Sequence, residues 1–155
     1  MEIFDPLTLS IVKKLILAVV LGALIGIERE VAHKSAGMRT HALVALGSAL
    51  FTVSPALLSG PTIDPTRIAA QVVTGIGFLG AGIIFLDKSQ VKGLTTAAGV
   101  WVSAAIGMAV GFGLTEVAVW ATLLTILVFL VLWPIEQRFV KRFSWNGNGT
   151  DSADR

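Results

Sequence analysis

Three glycines, Gly75, Gly77 and Gly80, repeat the G-x-G-x-x-G spacing with which a strand-to-helix turn cradles the pyrophosphate of a dinucleotide. That chemistry needs a strand before the first glycine, a helix opening after it and an acidic residue about 20 positions on. Here the glycines, with Gly82 close behind, sit in the middle of a charge-free run from Ile68 to Leu86. Asp87 stands too near to hold a ribose. A dinucleotide loop is therefore excluded, and two readings of the stretch stay open. The glycines let membrane helices pack closely, or they break a helix whose freed backbone groups line a cavity. Gln71 and Thr74 are polar members of the same run. With Ser48, Thr52, Ser103 and backbone carbonyls, they are the groups that could coordinate an ion midway across a membrane.

Formal charge gathers instead at the ends of the apolar stretches. Glu28 and Arg29 close the first, Arg39, Thr40 and His41 open the second, Asp87 closes the third, and Thr95 and Thr96 open the fourth. Alternating spans put all of these on one side of a bilayer, as one polar cluster. Interface anchoring and capping would account for it, with Thr95 capping the fourth helix and Asp87 paired with Arg39. A vestibule for an ion or a partner, built from Glu28, Arg39, His41, Asp87 and Thr96, would account for it too. The two histidines, His33 and His41, lack a two-His metal spacing, and the chain has no cysteine. No Ser or His stands with an acid partner for nucleophilic catalysis, so neither an enzyme nor a cofactor is expected. No ionisable residue lies near the middle of a span, where a carboxylate is costly and commonly marks a cation pathway.

Membrane helices are the elements that must position these residues. Of 155 residues 54% are apolar and 14% charged, where a soluble domain has about 25% charged. A net charge of +2 is too small to suggest nucleic acid as a partner. Five spans are expected: Leu9–Ile27, Ala42–Ser59, Ile68–Leu86, Leu94–Val110 and Val117–Trp133. At about 1.5 Å per residue each crosses a hydrocarbon core of roughly 30 Å. Lys13 and Lys14 before a short apolar run resemble a signal peptide, but no small-x-small cleavage site follows. Gly60-Pro61-Thr62-Ile63-Asp64-Pro65 reads as a tight turn, Asp64 and Arg67 as the cap and anchor of the third span, and Pro134 as the end of the fifth or a kink in it. The expected fold is all-α, a polytopic five-helix transmembrane domain over residues 1–143 with a disordered tail over 144–155.

Five spans place the termini on opposite sides. Lys13, Lys14 and Arg67 fall on one side and the nine other basic residues on the other. The side rich in lysine and arginine is cytoplasmic, which predicts an outer N-terminus and an inner C-terminus. Gly22-x-x-x-Gly26 and Gly107-x-x-x-Gly111 have helix-pairing spacing, either inside the bundle or at a dimer seam. On a wheel of about 100° per residue, Gln71, Gly75 and Gly82 share one face of the third helix, with Gly77 and Gly80 roughly opposite. Small residues on both sides predict a third helix sandwiched at the centre of the bundle.

Three blocks resemble the MgtC/SapB membrane proteins. The first is Gly22-x-x-x-Gly26-x-Glu28-Arg29-Glu30 followed by Ala36-Gly37-Met38-Arg39-Thr40-His41. The second is Asp64-Pro65-Thr66-Arg67-Ile68-Ala69 running into Gly75 to Gly82, and the third Gly93-Leu94-Thr95-Thr96-Ala97-Ala98 with Trp101. They occur in family order over roughly residues 20–113. The resemblance implies a bacterial inner-membrane protein linked to growth under low magnesium and to survival inside host cells. It implies either modulation of other membrane machines, the proton-translocating ATP synthase among them, or transport of Mg²⁺ or another cation as ligand. A homo-oligomer in the lipid bilayer is expected. The best-known members carry a soluble C-terminal domain, whereas this chain ends 22 residues after Trp133, and Lys34-Ser35-Ala36 lacks a proline often found in that loop.

Overall fold

The computed structural model describes residues 5–57, 64–87 and 90–144. Five helices run α1 (Pro6–Val31), α2 (Met38–Leu57), α3 (Pro65–Ile83), α4 (Leu94–Gly111) and α5 (Thr115–Ser144). Between α3 and α4 lies an antiparallel pair, β1 (Phe85–Asp87) with β2 (Gln90–Lys92). Helices α1, α3, α4 and α5 are each long and apolar enough to cross a membrane, and α2 is a shorter apolar helix over Met38–Val53. The fold is thus the expected all-α membrane bundle. The turn before Asp64 and the tail beyond Ser144 lie outside the described residues.

Local chemistry sets the ends of the helices. Pro6 and Pro65 stand in first turns, where a missing N–H costs nothing. Asp64 caps α3 as expected: its carboxylate accepts from the Thr66 hydroxyl at 2.6 Å and the Thr66 backbone N–H at 2.9 Å. Those two bonds hold the Asp64 carboxyl below its ordinary value. The third helix stops at Ile83 rather than Leu86, because Phe85 to Asp87 turn extended and pair with Gln90 to Lys92. Thr95 does not cap α4. That position belongs to Gly93, at φ 90°, which makes no side-chain cap bond. A Cβ there would meet the Ile83 carbonyl closer than 3.0 Å, so the hairpin closes only on glycine. Pro134 does not end the fifth helix, which continues to Ser144. A proline removes one ladder bond, and the remaining turns carry the helix through.

Helix α2, not α3, is the centre of the bundle. Its His41, Ala45, Ser48, Ala49 and Thr52 recur at helical spacing and are all buried, flanked by α1 and α4. A Cβ on Gly22 of α1 would stand 2.5 Å from the His41 carbonyl oxygen. Cβ atoms on Gly26, Gly107 and Gly111 would likewise come closer than 3.0 Å to Met38, Ala45 and Thr52. Both glycine spacings are therefore internal seams, and both close on α2. Helix α5 lies against α4 and α1, burying Ala118, Thr122 and Phe129. Helix α3 lies on the outside, chiefly against α4, with only Ile76 and Gly80 buried. Gly80 packs toward Ala97, whereas Cβ atoms on Gly75, Gly77 and Gly82 would meet nothing within 4 Å. The expected sandwich fails because a glycine face needs a matching neighbour, and the small faces of α1 and α4 meet the alanines of α2 instead. Helix α3 is also continuous through Gly75 to Gly82, so the broken-helix alternative does not hold.

Candidate functional site

A polar cluster forms where α1, α2, α4 and α5 converge at the lysine- and arginine-rich end. The Glu30 carboxylate accepts the Met38 backbone N–H at 2.9 Å and so satisfies one of the free donors that open α2. This sets His41 one turn inside the bundle, with no exposed surface. Its Nδ1 lies 2.8 Å from the Ser103 Oγ of α4. Nε2 is buried and has no hydrogen-bond partner among the described residues. Gly99 makes room for the ring: a Cβ there would stand 3.3 Å from His41 Cε1 and 3.0 Å from Phe129 Cζ. Thr96 is buried on the same face of α4.

Arg29 completes the buried part. It is 4% exposed, its Nε donates to the Glu28 carboxylate, and its guanidinium lies 3.7 Å over the centre of the Phe129 ring. Stacking on an aromatic face and pairing with a carboxylate are the two ways a buried guanidinium is commonly stabilised. One arginine thereby ties α1 to α5.

The single cluster expected from the sequence divides. Glu28 pairs with Arg29 and His41 lies beside Gly99 next to the Phe129 ring on which Arg29 stacks, while Thr96 is buried on the Gly99 side of α4. Arg39 and Thr40 are exposed and line a shallow polar hollow of about 230 Å³ with Glu30 and Lys34. Thr95 is exposed and lines a cleft of about 220 Å³ beside Arg29 and Phe129. Asp87 pairs with Lys92 across the hairpin and not with Arg39. Arg29 was expected at this end of the bundle but not among the vestibule residues, and Ser103 was expected to act midway across the membrane instead. Gly22, Ile25, Gly26 and Arg29 follow helical spacing along one buried face of α1, and that periodicity was the available signal for Arg29.

The mid-membrane candidates separate too. Thr74 donates to the Ala70 carbonyl at 3.0 Å and is satisfied within its own helix. Thr52 donates to the Ser48 carbonyl at 2.9 Å, inside the α2–α4 seam. Gln71 is exposed, and no hydrogen bond to its amide is present among the described residues. It faces a groove of about 460 Å³ between α2 and α3, whose walls include Leu43, Gly47, Phe51, Gly75 and Leu79. Gly47, like Gly75, has open space where a Cβ would stand.

Comparison with known proteins agrees with the blocks read from the sequence. The model of the MgtC family matches residues 15–138. The Protein MgtC of Brucella abortus strain 2308 is 52% identical over 120 residues, covering 77% of this chain and 50% of that protein. YhiD of Escherichia coli K12, whose name describes a candidate magnesium transporter, is 42% identical over 143 residues, covering 88% of this chain and 66% of that protein. The Protein MgtC of Salmonella typhimurium is 47% identical over 124 residues, covering 80% and 53% respectively. The chain thus spans about half the length of the Brucella relative it matches. No solved structure matches it.

Proposed function

The chain belongs to the MgtC family, and we propose that its bundle is a helix-docking module that helps the cell adapt to low magnesium by binding and modulating other membrane proteins. One observation carries this reading: the glycine face of α3 is left uncovered. Gly75 and Gly82, which share one face with Gln71, have open space around them, while the glycines of α1 and α4 close tight seams on α2. Glycine in a helix forgoes roughly 1 kcal/mol of propensity relative to alanine. In lipid its compensation is close approach by a second helix. Gln71 lies on the same side as Gly75, and an interhelical hydrogen bond to its amide is worth about 0.6–2 kcal/mol. The partner that fits is a transmembrane helix of another membrane protein, presenting small residues and one hydrogen-bonding side chain.

Transport of Mg²⁺ is the second reading, favoured by the name of YhiD. Against it stand the closed α2–α4 seam and the absence of ionisable side chains at mid-span in the sequence. Purified protein in liposomes loaded with a Mg²⁺-sensitive dye separates the two. Flux at the level of empty liposomes is expected. Robust flux that is lost in Gln71→Ala or Asp87→Asn would replace the docking module with a conduit.

A further inference from the structure

A second surface, remote from the α3 face, has the chemistry of a lipid site. Between the end of α1 and α5 runs a groove of about 660 Å³ with apolar walls that include Ile27, Leu130 and Trp133. A smaller cleft of about 220 Å³ lies on the other side of Phe129, between α5 and the start of α4. The two hollows share Arg29, Lys34, Phe129 and Trp133, so both open at the same pair of cations. Arg29 is 4% exposed and gives only its Nε to Glu28. Its terminal nitrogens have no hydrogen-bond partner among the described residues. Glu28 neutralises one of the two cations, which leaves one net positive charge where apolar walls meet the polar end of the bundle.

We infer that these hollows bind an anionic phospholipid, its headgroup phosphate on the Arg29 terminal nitrogens and Lys34 and its acyl chains along the apolar walls. Charge complementarity selects the occupant. One net cation suits one phosphodiester, and a planar guanidinium can meet two of its oxygens at once. Trp133 marks the level at which indole rings settle between headgroup and chain. The walls face the membrane, so a lipid reaches the site sideways without leaving the bilayer. The Thr95 hydroxyl at the rim of the smaller cleft offers one more donor to the headgroup.

Native mass spectrometry of the intact chain in detergent tests this, with phosphatidylglycerol and phosphatidylcholine of identical chains as probes. Phosphatidylglycerol should be retained more strongly. Lys34→Gln, at an exposed position, should weaken that lipid alone by about fivefold, the usual effect of one basic residue at a membrane surface. Leu130→Trp, at a position 58% exposed, should fill the groove and weaken both lipids without disturbing the core. Equal retention of the two lipids would overturn the assignment, as would a preference that survives Lys34→Gln. Displacement of the lipid by millimolar inorganic phosphate would also overturn it, since the site would then belong to a free anion.

Discussion

Adding one methyl group at Gly22 and one at Gly75 should have opposite effects, although both are glycines in apolar helices. At Gly22 the new Cβ would stand 2.5 Å from the His41 carbonyl oxygen and 2.9 Å from the Ala45 Cβ. That is about 0.9 Å short of the 3.4 Å at which ordinary contact begins, and the nearest obstacle is backbone, which cannot rotate away. Overpacking of this kind costs about 1–3 kcal/mol. Alanine returns up to about 1 kcal/mol of helix propensity. With the full return, Gly22→Ala should therefore lose up to about 2 kcal/mol net, and α2 should shift at His41, where the polar cluster begins. At Gly75 nothing lies within 4 Å of the new Cβ, so Gly75→Ala keeps the propensity gain of up to about 1 kcal/mol. Reversible unfolding of each variant in mixed micelles, followed by helical circular dichroism, reads the difference. If the two variants moved stability in the same direction, α2 would not be the helix on which the bundle closes.

Ser103→Ala should destabilise the bundle by about 1–3 kcal/mol, because His41 would then have both ring nitrogens buried without a partner; the same unfolding assay measures it. Glu30→Ala removes the cap of α2 and should cost about 1 kcal/mol, seen as faster hydrogen exchange at the Met38 amide. The Asp64 carboxylate is held below its ordinary pKa of 3.8 by its bonds to Thr66, so its stabilisation is fully present above that value and is lost as pH falls through the depressed one. The stability gap between wild type and Asp64→Ala should accordingly be constant at neutral pH and close in strong acid; a gap that persisted there would exclude the charge as its source. Gly93→Ala should prevent the α3–α4 hairpin from closing, through both its φ of 90° and the Ile83 carbonyl, and should appear as protease sensitivity near Gln90.

Much of the fold was legible because lipid imposes strong rules. Apolar runs of membrane thickness announced the helices, and Asp64-Pro65 announced the start of α3 in both its cap and its first turn. The glycine spacings at Gly22 and Gly107 pointed to close pairing, and close pairing is what they make. Which helix each glycine meets was not legible. Spacing along one helix reports how near a neighbour can come, and it carries no information about which neighbour arrives. Helix α3 has the most conspicuous glycines and α2 comparatively few, yet α2 sits at the centre because its alanines fit two glycine faces at once. Asp87 misled for a related reason. Its position at a span end suggested Arg39, but a hairpin of two three-residue strands brought Lys92 closer. Arg29 needed a partner one hundred residues away, Phe129, and no local pattern supplies that pairing.

The uncovered face of α3 is the centre of the account, and site-specific photocrosslinking in native membranes tests it most directly. A photoreactive side chain would be placed in turn at Gly75, Phe78 and Gly82 on α3, and at Leu123 and Leu127 on the outer face of α5, all of them exposed. A docking module predicts discrete protein adducts from the α3 positions, of one defined mass, and none from the α5 positions. Lipid adducts alone from every position, or protein adducts equally from both helices, would contradict it.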